Sequence, residues 1–113
     1  MSLEVLRPGP LALVQDAGRP GLAGIGVSPS GAADRASFLA GALLVGNDPD
    51  RHAAVEVTLG GLSVRALRAV TVALTGAACP AAIDGDAVGF GQRFALAAGA
   101  TLSLGPPPTG LRS

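Results

Sequence analysis

Residues Ala54 to Leu67 read "AVEVTLGGLSVRAL". Val55 and Val57 alternate with Glu56 and Thr58, Gly60-Gly61 interrupts, and Leu62, Val64 and Ala66 then alternate with Ser63 and Arg65. A period of two on both sides of a glycine break is the pattern of short strands whose side chains point alternately to two faces. The same pattern extends outward in both directions. "LEVLRPG" (3–9) and "LALVQD" (11–16) read as two short strands with a turn at Pro8-Gly9 between them. Downstream come "AVTVALTG" (69–76), "AAIDGDAV" (81–88) and "ATLSLG" (100–105), the second carrying Asp84-Gly85, a strong hairpin signal. Pro106-Pro107-Pro108 cannot continue a strand pair.

One segment departs from this period. Over residues 34–45, Phe38, Ala42 and Val45 fall on one helical face, with Leu39, Leu43 and Leu44 widening the stripe. Asp34 at its start complements the helix dipole, and Gly46-Asn47 is a natural stop. Many short strands with one helix predict a mainly β fold, a sandwich or a barrel. The long Gly- and Pro-rich connection from Ala17 to Ala32 has no periodicity, and a loop of that length inside a small domain is more often functional than idle.

The 113 residues suit a single domain with a modest core, which must be built from Ala, Val and Leu because there is no Trp or Tyr and only three Phe. Eight basic residues, all Arg, balance eight acidic ones, so neither nucleic acid nor an anionic membrane surface is an expected partner. The single cysteine, Cys79, cannot form an internal disulfide and fits a reducing compartment. No signal peptide opens the chain, and no apolar run reaches the roughly 18 residues that span a bilayer. The expected location is the cytoplasm.

Polar residues able to do chemistry are few: Gln15, Asp16, Arg19, Ser28, Ser30, Asp34, Asn47, His52, Glu56 and Cys79. His52 stands in a charged turn with no second His to share a metal, so no metal site is expected. Cys79, before a proline in apolar surroundings, reads as an inert buried thiol. "GVSPSGA" lacks the nucleophile-elbow pattern, and the glycines of "GRPGLAGIGVSPSG" form neither a P-loop nor a dinucleotide fingerprint. Glu56, inside a strand, either faces solvent or points into the interior of a barrel, and the solvated reading is the commoner for a strand carboxylate.

Taken together, "LRPGPLALVQDAGRPGLAGIGVSPSGAADR" (6–35), "LLVGN" (43–47), "VEVTLGG" (55–61) and "ALTGA" (73–77) resemble the opening of the biotin-dependent carboxyltransferase family. That family includes allophanate hydrolase subunit 2, the C subunit of 5-oxoprolinase, the Kip antagonist and a domain of urea carboxylase. The order and spacing of the blocks match over nearly all of the chain. The resemblance implies a cyclophilin-like β-barrel, or part of one, with the single helix at about 34–45. Because family members are longer and have two related β domains, it also implies that residues 1–105 form a partial N-terminal β domain. Residues 106–113 would then be a Pro-rich linker to a further part.

Members of the family open the lactam of 5-oxoproline with ATP, in company with a partner subunit, or transfer a carboxyl group from carboxybiotin to urea. The resemblance therefore implies a hydrolase or carboxyltransferase subunit, inactive on its own. Its partner would be a homologous subunit 1, of the type of the 5-oxoprolinase B subunit or the Kip inhibitor, with self-association through open strand edges as another association. ATP would be bound by the complex rather than by this chain. Any biotin would sit on a partner, since there is no Lys here to carry it.

By residue type, Gln15, Asp16 and Arg19 are the catalytic candidates: Gln15 and Asp16 suit hydrogen bonds to a substrate amide, and Arg19 suits a carboxylate or carboxybiotin oxygen. Ser30 and the backbone around Gly31 would add donors, with Asp34, Asn47 and Glu56 completing the binding set. Two positions depart from the family pattern: Ala33 stands where Met is usual, and Ala42 where Asn is common. The alternative to an enzyme subunit is a regulatory protein-binding module of the Kip antagonist type.

Overall fold

A computed structural model describes residues 3–16, 18 and 32–113. Among these described residues, nine strands and one helix follow in the order β1 (Leu3–Arg7), β2 (Leu11–Gln15), α1 (Arg35–Val45), β3 (Ala54–Thr58), β4 (Ser63–Ala66), β5 (Val70–Ala73), β6 (Ala81–Ile83), β7 (Asp86–Ala87), β8 (Arg93–Leu96) and β9 (Thr101–Leu104). The mainly β expectation, with one helix capped at Asp34, holds.

The strands are arranged in three antiparallel groups: a five-stranded sheet ordered β1-β4-β9-β6-β7, and the two-stranded ribbons β2-β3 and β5-β8. The Gly60-Gly61 break separates β3 and β4 into different groups, so the two halves of the 54–67 stretch do not pair with each other. Leu59, Gly60 and Gly61 all have positive φ, and an alanine Cβ at position 60 would collide with the Gly105 carbonyl oxygen. Only glycine admits that approach, which lets the chain cross from the ribbon into the main sheet.

The two opening strands likewise do not form a hairpin with one another. β1 pairs with β4, while β2 pairs with β3, because the Pro8-Gly9-Pro10 corner turns the chain from one sheet to the other. Gly9 has φ +73, and a Cβ on it would collide with the Gly60 carbonyl oxygen, so the two corners pack backbone to backbone. The Asp84-Gly85 hairpin does form between β6 and β7, with both residues at the positive φ of a type I′ turn.

Alternation along β4 and β9 sends Val64, Ala66, Leu102 and Leu104 inward, where they join Val57, Leu62, Cys79, Ala81, Leu96 and Ala100. Phe90 and Phe94 close the core from its edge. Ser63 is buried among these residues, but its Oγ is 3.1 Å from Ser103 Oγ directly across the strand pair and accepts from Arg7 Nη2 at 3.3 Å. A buried hydroxyl is tolerated because it is paired.

The helix is less amphipathic than its sequence suggests. Phe38 is buried, but Leu39 is 44% and Leu43 82% exposed, so the packed stripe narrows to Phe38 with the half-buried Ala42, Leu44 and Val45. α1 packs on β5, and Gly41 is the contact point: a Cβ there would come within 3.2 Å of Thr75 Oγ1. At its end Gly46 adopts φ 77, and the Asn47 N–H donates to the Ala42 carbonyl at 2.8 Å, a left-handed C-cap.

The segment after the prolines folds back. Leu59 N–H donates to the Leu111 carbonyl, Val57 and Ser113 exchange both backbone hydrogen bonds, and Thr58 bridges Arg112. Residues 111–113 therefore lie along the edge of β3, and Pro106–Pro108 serve to bring them there. Among the described residues no helix is long and apolar enough to cross a membrane.

Candidate functional site

A cleft opens where five segments meet: the end of β2, the first turn of α1, the start of β3, the residues after β5, and the returning segment 111–113. It is lined by Gln15, Asp34, Ser37, Glu56, Thr75, Gly76, Arg112 and Ser113, with Ala and Val side chains and Phe38 between them. Strand pairing accounts for two of these. Gln15 is opposite Ala54 and Leu13 opposite Glu56, and directly opposed residues in an antiparallel pair share a face, so Gln15 and Glu56 project together. The other face of the ribbon carries Ala12 and Val57 into the core.

Glu56 corrects the expectation of a solvated carboxylate. Its side chain is only 12% exposed, Oε2 accepts from the Ala33 N–H at 2.7 Å, and Oε1 lies 3.5 Å from Arg112 Nε. A desolvated carboxylate persists when a charge and a donor compensate it, and both are supplied here. Strand alternation placed Glu56 on the face away from Val57, as observed, and left open whether that face meets solvent or protein. What alternation could not show is that α1 and the returning segment cover that face.

Asp34 is the helix N-cap. Its Oδ1 accepts from the Ser37 N–H at 3.0 Å, and Ser37 Oγ donates to Oδ2 at 2.6 Å. Thr75 Oγ1 donates to the Ser37 carbonyl at 2.7 Å, tying the first turn to the end of β5. The Ser37 hydroxyl, and after it the Ser37 N–H, holds the Asp34 carboxyl below its ordinary value. A depressed carboxylate stabilises the fold fully above its unfolded value and loses that contribution as pH falls through its folded value. In acid melts, the wild type should therefore lose helix stability more steeply than Asp34→Asn, which keeps the cap but cannot titrate. Identical acid profiles for the two would refute this role.

The remaining sequence candidates lie elsewhere. Asp16 Oδ1 accepts from the Gly18 N–H at 2.8 Å, and its carbonyl accepts from the Ala32 N–H at 2.9 Å, so it fixes the chain at the mouth of the 17–32 connection. Its carboxylate borders a separate polar recess with Arg35, Arg51 and His52. Asn47 is at the far end of α1, beside a larger apolar cavity of about 290 Å³. Arg19, Ser30 and Gly31 lie outside the described residues. Cys79 is buried, and desolvation pushes its thiol up, offset in part by a hydrogen bond involving Ser113. No group of His, Cys, Asp and Glu among the described residues is arranged to hold a metal.

Sequence reasoning missed Arg112, Thr75, Ser37 and Ser113. "GLRS" (110–113) reads as the tail of a proline linker, and only the hydrogen bonds to β3 reveal it as a wall of the cleft. "ALTGA" carried a signal: Gly76 has φ +93, and a Cβ there would meet the Arg112 carbonyl oxygen at 2.8 Å, so that glycine is required by the same wall.

Comparison with known proteins brings these features together. The family model described as carboxyltransferase domain, subdomain A and B, matches residues 25–113. The chain is 42% identical to the C subunit of 5-oxoprolinase from Escherichia coli (strain K12) over 98% of its own length and 36% of that protein's. It is 36% identical to urea amidolyase of Saccharomyces cerevisiae over 99% of its length and 6% of that protein's. The crystal structure of the Kluyveromyces lactis urea amidolyase superposes on 98% of the chain with a TM-score of 0.92 at 32% identity, covering 7% of that larger protein. The chain thus spans about a third of the length of the bacterial relative, and its fold is that of the matching part of the yeast enzyme, in keeping with part of a cyclophilin-like barrel.

Proposed function

This chain belongs to the carboxyltransferase domain family, subdomain A and B, and from that premise we propose that it forms part of the amide-binding subunit of an ATP-dependent complex that hydrolyses or carboxylates a small amide. One observation carries the reading: Gln15, expected from sequence to be catalytic, and Asp34 and Glu56, expected to bind substrate, converge on a single cleft. The substrate class is a small cyclic or urea-type amide, 5-oxoproline or urea. An amide presents a carbonyl acceptor and N–H donors side by side. Gln15 offers both complementary functions, and the Thr75 hydroxyl, whose proton goes to the Ser37 carbonyl, keeps acceptor capacity.

On this reading Gln15 contacts substrate directly, while Asp16 acts by fixing the backbone that leads to Arg19, Ser30 and Gly31. Asn47 is too far along the helix to share the cleft with Gln15 and would act on a different part of the bound assembly. Residues 1–105 would serve as the N-terminal β domain and 106–113 as the passage to a following part. The partner is of the type of the 5-oxoprolinase B subunit or the Kip inhibitor, and the complex works in the cytoplasm.

The cleft does not suit a triphosphate, because two carboxylates line it against one guanidinium. ATP is accordingly assigned to the complex and not to this chain. A biotin, if used, is carried by another chain or domain.

The test is turnover by the full-length protein with its partner subunit: ATP-dependent glutamate release from 5-oxoproline, and carboxylation of urea. Gln15→Ala should lower kcat/KM on the accepted amide by about 10-fold, the loss typical of one or two direct hydrogen bonds in a shielded site. Intact partner binding with no turnover of either amide would overturn the enzymatic reading and leave the regulatory one.

A further inference from the structure

We propose that Arg112 holds the carbonyl oxygen of the amide in this cleft, and that Glu56 is the residue that positions it; this rests on the amide-binding reading above. Neither residue's role here follows from the family match, and Arg112 was not among the sequence candidates.

The argument begins with unused capacity. A guanidinium carries five N–H donors in a planar fork. Arg112 Nε faces Glu56 Oε1 at 3.5 Å, while neither terminal nitrogen hydrogen-bonds to a described residue. Its side chain is 39% exposed, so those donors are reachable from the cleft. The two carboxylates of the cleft are in the opposite condition. Asp34 is engaged by Ser37 at both oxygens, and Glu56 by the Ala33 N–H and Arg112. The strongest spare hydrogen-bonding group in the cleft is therefore a donor, and the ligand group it fits is an oxygen acceptor.

The fork is also held in place. The Arg112 carbonyl accepts from the Ala77 N–H at 2.9 Å, Ser113 is hydrogen-bonded to Val57 of β3 and Leu111 to Leu59 just beyond it, and Ser113 Oγ donates to the Ala77 carbonyl at 2.5 Å. Backbone clamped from two directions, with Glu56 ion-paired to Nε at 3.5 Å, favours a donor kept near its position when charge develops on a carbonyl oxygen. Two carboxylates against one guanidinium leave the cleft net negative, which disfavours a polyanion such as a triphosphate. A planar fork and a carbonyl match in shape as well as in charge.

The experiment is steady-state turnover by the full-length protein with its partner, using whichever of 5-oxoproline and urea the wild type accepts. Arg112→Ala should lower kcat/KM by about 100-fold or more, as expected for removing a preorganised donor at a developing oxyanion. Added guanidinium ion should restore part of the rate to Arg112→Ala and none to Gln15→Ala. Arg112→Lys keeps the charge and stem but not the fork, so it should stay well below wild type with an unchanged melting temperature. Should Arg112→Ala fail to fold, the lysine variant decides. Wild-type turnover by either variant overturns the role of Arg112 and leaves the amide reading standing. No turnover of either amide by the wild type overturns that reading and this inference with it.

Discussion

Glu56→Ala should lower turnover of the assembled protein by about 100-fold, close to the loss from Arg112→Ala, because both variants remove the same aimed donor. In the wild type one carboxylate oxygen anchors the Ala33 N–H at 2.7 Å, just ahead of the helix, and the other faces Arg112 Nε. Alanine leaves the guanidinium free to swing into solvent and leaves the Ala33 N–H without that acceptor. The stability cost should be modest. The Arg112 partner is more than a third exposed, so solvent screens the ion pair, and the main loss is one backbone acceptor, about 1–2 kcal/mol. A large catalytic loss with a small stability loss separates a positioning residue from a merely structural one. The double variant sharpens the distinction: if Glu56 acts through Arg112, adding Glu56→Ala to Arg112→Ala should cost little more. Fully additive losses in kcat/KM, or an unchanged rate in Glu56→Ala, would sink the assignment. Glu56→Gln keeps an acceptor for Ala33 but not the charge, and should fall between wild type and Glu56→Ala.

Glu56 also shows how far sequence could reach. Period-two alternation placed it on the face of β3 away from Val57, and the structure agrees. Alternation encodes which side of a strand a residue occupies, since that depends only on local geometry. What covers that side depends on where α1 and residues 111–113 return, and those contacts span more than 20 residues of sequence in one direction (Ala33 to Glu56) and more than 50 in the other (Glu56 to Arg112). The same limit explains β1 and β2. Each was legible as a strand from its alternation, yet their partners β4 and β3 were not, because a Pro-Gly-Pro corner that sends two strands into different sheets looks locally like a hairpin turn. The helix was legible from Asp34 to Gly46 because caps are local. Its apolar stripe was over-read: Leu43, 82% exposed, fits the helical period but lies beyond the strip that β5 can cover. Arg112 was hidden for a further reason. Its neighbours Pro106–Pro108 carry a real signal against continuing a strand, and the signal is correct, but the chain needed only to bend there before pairing with β3 again.

Leu96→Ala should destabilise this chain by about 2–5 kcal/mol, toward the upper end of that range. Leu96 is fully buried, at 0% exposure, and lies opposite Val70 where β8 pairs with β5. Replacing it opens a cavity whose cost depends on whether the neighbours can move in. Here the core contains Ala66, Ala81 and Ala100, side chains with no reach, and Val64, whose branched side chain is confined to few rotamers. Among the described core residues there is no Met, the side chain best able to relax into a gap, so the cavity term should persist. With total stabilities of small domains near about 5–15 kcal/mol, this is a large fraction. Leu96→Met, nearly isosteric, should cost less than about 1.5 kcal/mol. Chemical unfolding checks both, through a lower midpoint for the alanine variant at an unchanged denaturant slope. The effect should also reach the cleft, because the β5-β8 ribbon leads into Thr75, whose hydroxyl holds the Ser37 carbonyl and with it the first turn of α1. Hydrogen exchange at Ser37 and Phe38 should accelerate in Leu96→Ala below its unfolding midpoint. Acceleration confined to β8 would show instead that the cleft is held independently of the core.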